Sequence, residues 1–149
     1  MKTIIEDTRQ KKDKHALKNE FWASDGVNVI RSGLPFGDYW PVPSVAVDTK
    51  QDIAEIAMNL CGSSSETRRV REEVKKARDA GTKLIFLIED GRYESISDLY
   101  GTKVWLHNGR TIPGDQLATS MHIMEKRYGC EFWFCSPDDA GRIIEELLE

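Results

Sequence analysis

A chain of 149 residues, 40% hydrophobic and 31% charged, has the length of one domain and can bury a single sizeable core, so residues 1–149 are expected to form one unit. Its formal net charge of −4 excludes a protein that coats nucleic acid by bulk charge. Three cysteines, Cys61, Cys130 and Cys135, are too sparse for a disulfide framework or a zinc set and read as buried thiols; no signal peptide or membrane-length apolar run is present, so a cytoplasmic protein is expected.

In chain order, KTIIED predicts a short strand and KKDKHALKNEFW a helix with Ala16, Leu17 and Phe21 facing inward. GVNVIRS, FGDYW and SVAVDTK follow as three short strands separated by Gly and Pro, with the look of a meander. From Asp52 the period becomes helical, with Ile53, Ile56, Ala57 and Leu60 on one stripe. CGSSSE interrupts it before a second helix that Gly81 stops. KLIFLIED is a continuous apolar run of strand length, which predicts a strand covered on both faces at the centre of the sheet. GRYESISDLYGTKVWLHNGRTIPG reads as an irregular loop; a helix from Asp115 to about Arg127, the strand CEFWFC and a last helix after SPDD complete an α/β order. The expected fold is a mixed central β-sheet flanked by helices.

Charge is unevenly distributed. Residues 1–18 hold six Lys or Arg against three acids, residues 66–83 hold seven against four, and the tail from Asp138 holds five acids against Arg142. Arg68, Arg69, Arg71, Lys75 and Lys76 can neutralise DNA phosphates along one helix or can form a solvated face laced with Glu72 and Glu73.

The period of two along VAVDTK sends Ala46, Asp48 and Lys50 to one face and Val45, Val47 and Thr49 to the other. Asp38, across a turn containing Pro41 and Pro43, reaches the face of Asp48 and Lys50 if the two strands pair as a hairpin. Mg²⁺ takes oxygen ligands and usually needs only one or two carboxylates, which Asp38 and Asp48 supply; an ammonium beside them, Lys50, can act on a water and on charge building at a phosphate. Asp7 closes the first strand, as Glu89 and Asp90 close KLIFLIED, and strand ends are where ligands bind in open α/β sheets. A surface ion pair is the plainer account of any single Asp-x-Lys. Gln51 can hydrogen-bond a base or phosphate or be merely solvated; Glu20 and Glu55 read as surface acids; His15, His107 and His122 have no ligand spacing. Trp133 reads as core, and Trp105 as the better platform for stacking a base.

IIEDTRQ, GDYW and VAVDTKQD, in this order, resemble the motifs of the XPF-type nuclease domain, a branch of the PD-(D/E)XK superfamily. The resemblance implies a restriction-endonuclease-like fold and a metal site for phosphodiester hydrolysis, formed by Asp7, Asp38, Asp48 and Lys50, with Mg²⁺ as cofactor and Mn²⁺ as a substitute. Asp7, Asp38 and Asp48 are then the metal ligands, and Gln51, Arg9, Arg69 and Arg71 the DNA-binding residues. The usual Glu-Arg-Lys is Asp48-Thr49-Lys50 here, and Gln10 stands where the first motif usually has Glu. REEVKKARDAGTKLIFLIEDG and the later stretches are similar to small stand-alone members from phages and bacteria, which would act in the cytoplasm, the host's for a phage protein. The given residues hold no helix-hairpin-helix module, so substrate choice is expected to fall to the domain, a homodimer or a partner protein. The expected activity is metal-dependent DNA cleavage, structure-specific and serving repair or recombination. The alternative is a catalytically inactive nucleic-acid-binding or scaffold module of the same fold. A nucleotide-binding Rossmann-like protein is the weakest reading, because no Gly-rich phosphate loop follows a strand.

Overall fold

The computed structural model describes residues 3–11, 15–41 and 45–149. Lys2, Lys12 and Lys14 of the basic N-terminal run, and Pro43 of the expected turn, lie outside the described residues. The strands are β1 Thr3–Asp7, β2 Asn28–Ser32, β3 Tyr39–Pro41, β4 Val45–Lys50, β5 Lys83–Ile88, β6 Lys103–Trp105, β7 Thr111–Pro113 and β8 Glu131–Phe134. The helices are α1 Ala16–Ser24, α2 Ile53–Cys61, α3 Ser64–Asp79, α4 Gly114–Tyr128 and α5 Ala140–Leu147.

Six strands form one sheet in the order β2-β1-β3-β4-β5-β8. The pairs β1–β2, β4–β5 and β5–β8 are parallel, and β3 is antiparallel to both β1 and β4. All strands except β3 therefore run the same way, and β1, β4 and β5 end at one edge of the sheet. The expected hairpin of β3 and β4 is present, but the meander is not: β1 lies between β2 and β3, because α1 carries the chain from β1 across to a parallel neighbour.

The sheet is covered on both faces. Phe36, Ala46, Leu84, Phe86 and Ile88 pack with α2, α3 and α4, while Ile4, Tyr39, Val47, Ile85 and Leu87 pack with α1 and α5. KLIFLI thus feeds both cores by alternation, as expected, but it stands one strand in from the β8 edge and not at the centre. Trp133, expected in the core, is 44% exposed because β8 is that edge. The stretch expected to be an irregular loop contains a 3-10 turn at Ile96–Leu99 and a small two-stranded sheet, β6–β7, anchored by the fully buried Val104 and Leu99. Gly81 follows α3 at φ +70°, the left-handed conformation that ends a helix. The three cysteines are free thiols.

Helix α1 turns a different face inward from the one expected. Leu17 is 49% exposed, and Lys18 and Trp22 are buried. The Trp22 indole N–H donates to the Gly141 carbonyl, and a Cβ at Gly141 would meet the Lys18 Cα at 3.1 Å, so α1 and α5 pack at close range. Lys18 donates to both carboxylate oxygens of Glu89 at 2.6 Å, just beyond β5, and lies 3.1 Å from His15 Nδ1. Removing one partner of such a buried pair leaves the other charge desolvated, which typically costs about 3–5 kcal/mol. Lys18→Met is expected to show a loss of that order in urea unfolding, and Lys18→Met with Glu89→Leu to recover most of it. Equal losses in the two variants would mean that the ion pair is not what holds α1 in place.

Candidate active site

β4 delivers the centre of the site. Its alternation puts Asp48 and Lys50 on the face shared with α3, with Lys50 Nζ 3.5 Å from Asp48 Oδ1 and 5.8 Å from the Phe86 ring centre. Asp38 arrives on the entry to β3 and is held from two sides: its N–H donates to the Val47 carbonyl at 2.7 Å, and its carbonyl accepts from the Asp7 N–H at 2.7 Å. Gly37 makes this approach possible, since its φ is +71° and a Cβ there would lie 3.1 Å from the Ala46 Cβ.

Asp38 Oδ2 accepts from the Thr49 N–H at 2.7 Å and from the Thr49 hydroxyl at 3.0 Å, and the Gln10 amide lies 3.3 Å from the same hydroxyl. Two of the positions that depart from the XPF-type pattern, Gln10 and Thr49, therefore form one hydrogen-bonded unit that orients a candidate ligand.

A third acid completes the cluster. Glu73 of α3 accepts from the Gly37 N–H at 2.7 Å and shares a hydrogen bond with Asp48. Sequence reasoning placed Glu73 on a solvated face. The signal that could have found it is the buried stripe of Val70, Val74 and Ala77, which Glu73 flanks, with Arg69 and Lys76 four residues before and three after it.

The charges in this cluster are coupled. Burial, and next the charge of Asp48, push the Asp38 carboxyl well above the usual carboxylate range. Burial alone would also raise Asp48, but the Lys50 ammonium and hydrogen bonds from Glu73, Asp38 and Lys50 carry it below that range. Burial by itself would lower Lys50, yet the charges of Asp48, Glu55, Glu73 and Asp38 raise it, so it remains an ammonium. The negative charge is thus favoured on Asp48, and the protonated forms of Asp38 and Glu73 are favoured beside it.

Burial, followed by the charge of Asp48, pushes the Glu73 carboxyl from 4.5 up to about 8. The unfolded chain releases this proton near 4.5 and the folded protein near 8, so the stability tied to it is complete below about 4.5 and is lost as pH rises through 8. Glu73→Gln removes the titration and keeps a donor for Asp48. In EDTA, its unfolding free energy relative to wild type should rise by on the order of 2–4 kcal/mol between about pH 5 and pH 8. A difference that stays constant over that window would show that Glu73 is not held protonated.

Asp7 shares the cleft wall with Asp38 and Asp48, but its buried carboxylate pairs with the Arg9 guanidinium and accepts from the Leu34 N–H at 3.3 Å. Arg9 also donates to the Leu34 carbonyl at 2.9 Å, so Asp7 sets the position of a cation at the cleft. The wall of Asp38, Asp48 and Lys50 faces two openings. One, of about 350 Å³, reaches Arg9, Arg69, Glu73 and Lys76; the other, of about 280 Å³, reaches Lys11, His15, Gln51 and Glu55. Gln51 and Arg69 line these openings, and Glu55 lies at the site and not on a remote surface, accepting from the Gln51 N–H at 2.8 Å. Arg71 does not join Arg69: two residues further along a helix is about 200° around its axis, and Arg71 lines a separate groove. Glu20 is exposed on α1, and Trp105 is 65% exposed.

The donor set suits a hard divalent cation. Oxygen atoms of three acids crowd one ammonium out of bulk water, an excess of negative charge that is masked only by protons. Among the described residues no three His, Cys, Asp or Glu side chains form a ready-made cage. Mg²⁺ needs only one or two carboxylates, with waters and phosphate oxygens filling the rest.

The solved structures similar to this chain include two of XPF from Aeropyrum pernix. XPF from Aeropyrum pernix has a TM-score of 0.68 at 21% identity, over 98% of this chain and 63% of that one. XPF from Aeropyrum pernix in complex with DNA has a TM-score of 0.69 at 20% identity, over 99% of this chain and 64% of that one. The chain spans less than two thirds of the length of these structures, and the likeness establishes an XPF-like mixed α/β fold. No family model and no curated protein matches the chain. No helix among the described residues is long and apolar enough to cross a membrane.

Proposed function

We propose that the protein is an XPF-type DNA nuclease that depends on a divalent cation. The observation that carries this reading is the convergence of Asp38, Asp48 and Glu73 on Lys50 at the end of β4, in a cleft flanked by Arg9, Arg69 and Lys76. Asp38 and Asp48 would hold Mg²⁺ or Mn²⁺, with Glu73 as a further oxygen donor. When bound, the cation supplies Lewis-acid polarisation of a phosphoryl oxygen and a more acidic water.

The protein's own residues account for the rest. Lys50, kept as an ammonium by its acidic neighbours, is placed to neutralise charge that builds on the phosphate in the transition state. Thr49 and Gln10 fix the orientation of Asp38, and Asp7 fixes Arg9. The two openings on either side of the Asp38–Asp48–Lys50 wall suit a strand that crosses it, with Arg69 and Lys76 meeting phosphates on one side and Gln51 on the other. Arg71 is outside this path.

The second reading is an inactive DNA-binding module, and it has one observation in its favour: the Asp7 carboxylate is occupied by Arg9. Labelled linear, flapped and branched DNAs incubated with the protein in Mg²⁺, Mn²⁺ or EDTA separate the two. Cleavage in either cation and none in EDTA is the expected result; binding without cleavage in every condition would establish the inactive module.

A further inference from the structure

The hairpin of β6 and β7 presents the most exposed large hydrophobic side chain among the described residues, Trp105, at 65%. Val104 is fully buried in the core shared with α2, so the strand period turns Lys103 and Trp105 to the opposite, outer face. The other three tryptophans spend their indole N–H inside the protein: Trp22 on the Gly141 carbonyl, Trp40 on the Phe36 carbonyl and Trp133 on the Glu131 carboxylate. The Trp105 indole makes no hydrogen bond, ring contact or cation contact among the described residues. Its backbone is nevertheless firmly held. The Leu106 N–H donates to the Arg110 carbonyl at 2.8 Å across the turn, and the Gly114 N–H donates to the Thr102 carbonyl at 2.8 Å at the base of the hairpin. At the tip, His107 Nε2 lies 2.9 Å from Asp52 Oδ2. Asp52 follows Gln51, which lines the opening of about 280 Å³ beside Lys50, so the hairpin stands at the rim of the candidate active site. Two residues separate Trp105 from that tie, a span of about 7 Å at most. Residues 101–113 carry Lys103 and Arg110 and no Asp or Glu, in a chain whose net charge is −4.

Resting on the nuclease reading for the path of the strand, we propose that Trp105 is a stacking platform for an unpaired DNA base where the strand leaves the cleft past Gln51. A single exposed aromatic is ordinary on a protein surface. This one differs in three respects: its support is rigid, a cation shares its face, and the surface is continuous with the cleft. Every base has a π-face, so stacking needs no particular sequence. A paired base inside a duplex is already stacked on both sides, so the platform favours unpaired DNA. Lys103, on the same face, is placed to meet a phosphate of the stacked nucleotide. Because the hairpin is already closed at both ends, little ordering is needed when the base arrives.

The test measures affinity in EDTA, where no cleavage intervenes, for a short single-stranded oligonucleotide and for the blunt duplex of the same sequence. Trp105→Ala is expected to weaken single-strand binding by about tenfold and duplex binding by no more than about twofold, and Trp105→Phe to restore most of the loss. The indole is exposed, so both variants should melt like wild type. Oligonucleotides with one abasic position at a time locate the base: one position should weaken wild type as much as Trp105→Ala does and cost that variant nothing more. Lys103→Gln should flatten the plot of log Kd against log salt by about 0.7. Equal losses on single strand and duplex, or no abasic position whose effect vanishes in Trp105→Ala, overturn the proposal. A sedimentation coefficient that falls in Trp105→Ala with DNA affinity unchanged assigns the indole to a second copy of the chain and also overturns it. The expected binding pattern with no cleavage in Mg²⁺ or Mn²⁺ refutes the nuclease reading and leaves the platform standing. Cleavage with affinities unaltered in Trp105→Ala does the reverse, and no binding of either DNA overturns both.

Discussion

Lys50→Ala is expected to lower DNA cleavage by about 10²–10³-fold while leaving DNA affinity within a few-fold. Lys50 is one cation among several at the cleft, so its share of phosphate binding is small. It is the only lysine within 4 Å of Asp48 among the described residues, however, and the acids around it hold it protonated where charge develops on the phosphate. The effect should therefore fall on the single-turnover rate and not on Kd. Stability should fall little in Mg²⁺, since the cation compensates the Asp48 charge that the lysine leaves behind. Single-turnover cleavage and equilibrium binding, measured on one preparation, check this; an unchanged rate would remove Lys50 from the chemistry.

The second large effect concerns Asp48→Asn. In the cation-free protein the negative charge of the cluster is favoured on Asp48, while burial and that charge raise Asp38 and Glu73. Replacing it by Asn removes the repulsion that adds to burial in favouring the protonated forms of those two acids, so that a negative charge can shift to one of them beside Lys50. The cation-free variant should therefore stay within about 1 kcal/mol of wild type, whereas an ordinary buried ion pair cut on one side would lose about 3–5 kcal/mol. Wild type should gain about 2.7 kcal/mol at a cation concentration one hundred times Kd, and the variant should lose most of that gain together with cleavage. Melting curves of both proteins, with EDTA and with Mg²⁺ or Mn²⁺, decide the matter. A destabilised variant that responds to cation as wild type does would show that Asp48 is not a ligand.

The part of the site carried by β4 was legible because a strand has a simple period: once VAVDTK is a strand, Asp48 and Lys50 must share a face, and the β3–β4 hairpin brings Asp38 to them. Glu73 was not legible. On a helix with many charges, a buried acid and a solvated one obey the same period, and only the docking of α3 against Gly37 distinguishes them. The same limit separated Arg69 from Arg71. Leu17 was read as inward for a related reason: apolarity favours it, but the partner that makes a buried Lys18 tolerable, Glu89, stands 71 residues away in the chain. The place of β1 between β2 and β3 was hidden because adjacency in sequence suggests a meander, and nothing local marks α1 as a crossover. The β6–β7 pair escaped notice because strands of three residues are too short to show a period.

The run of hydrogen bonds from Gln10 through Thr49 to Asp38 also constrains how this sequence can drift. A change at Thr49 is felt twice, once by the carboxylate that loses a donor and once by the amide that loses its acceptor. A change at Gln10 alters which residues position 49 can tolerate. The three positions therefore do not evolve as independent letters: replacements at 10 and 49 are epistatic, and the accessible routes through this corner of the fold are paired exchanges that keep the Asp38 carboxylate oriented.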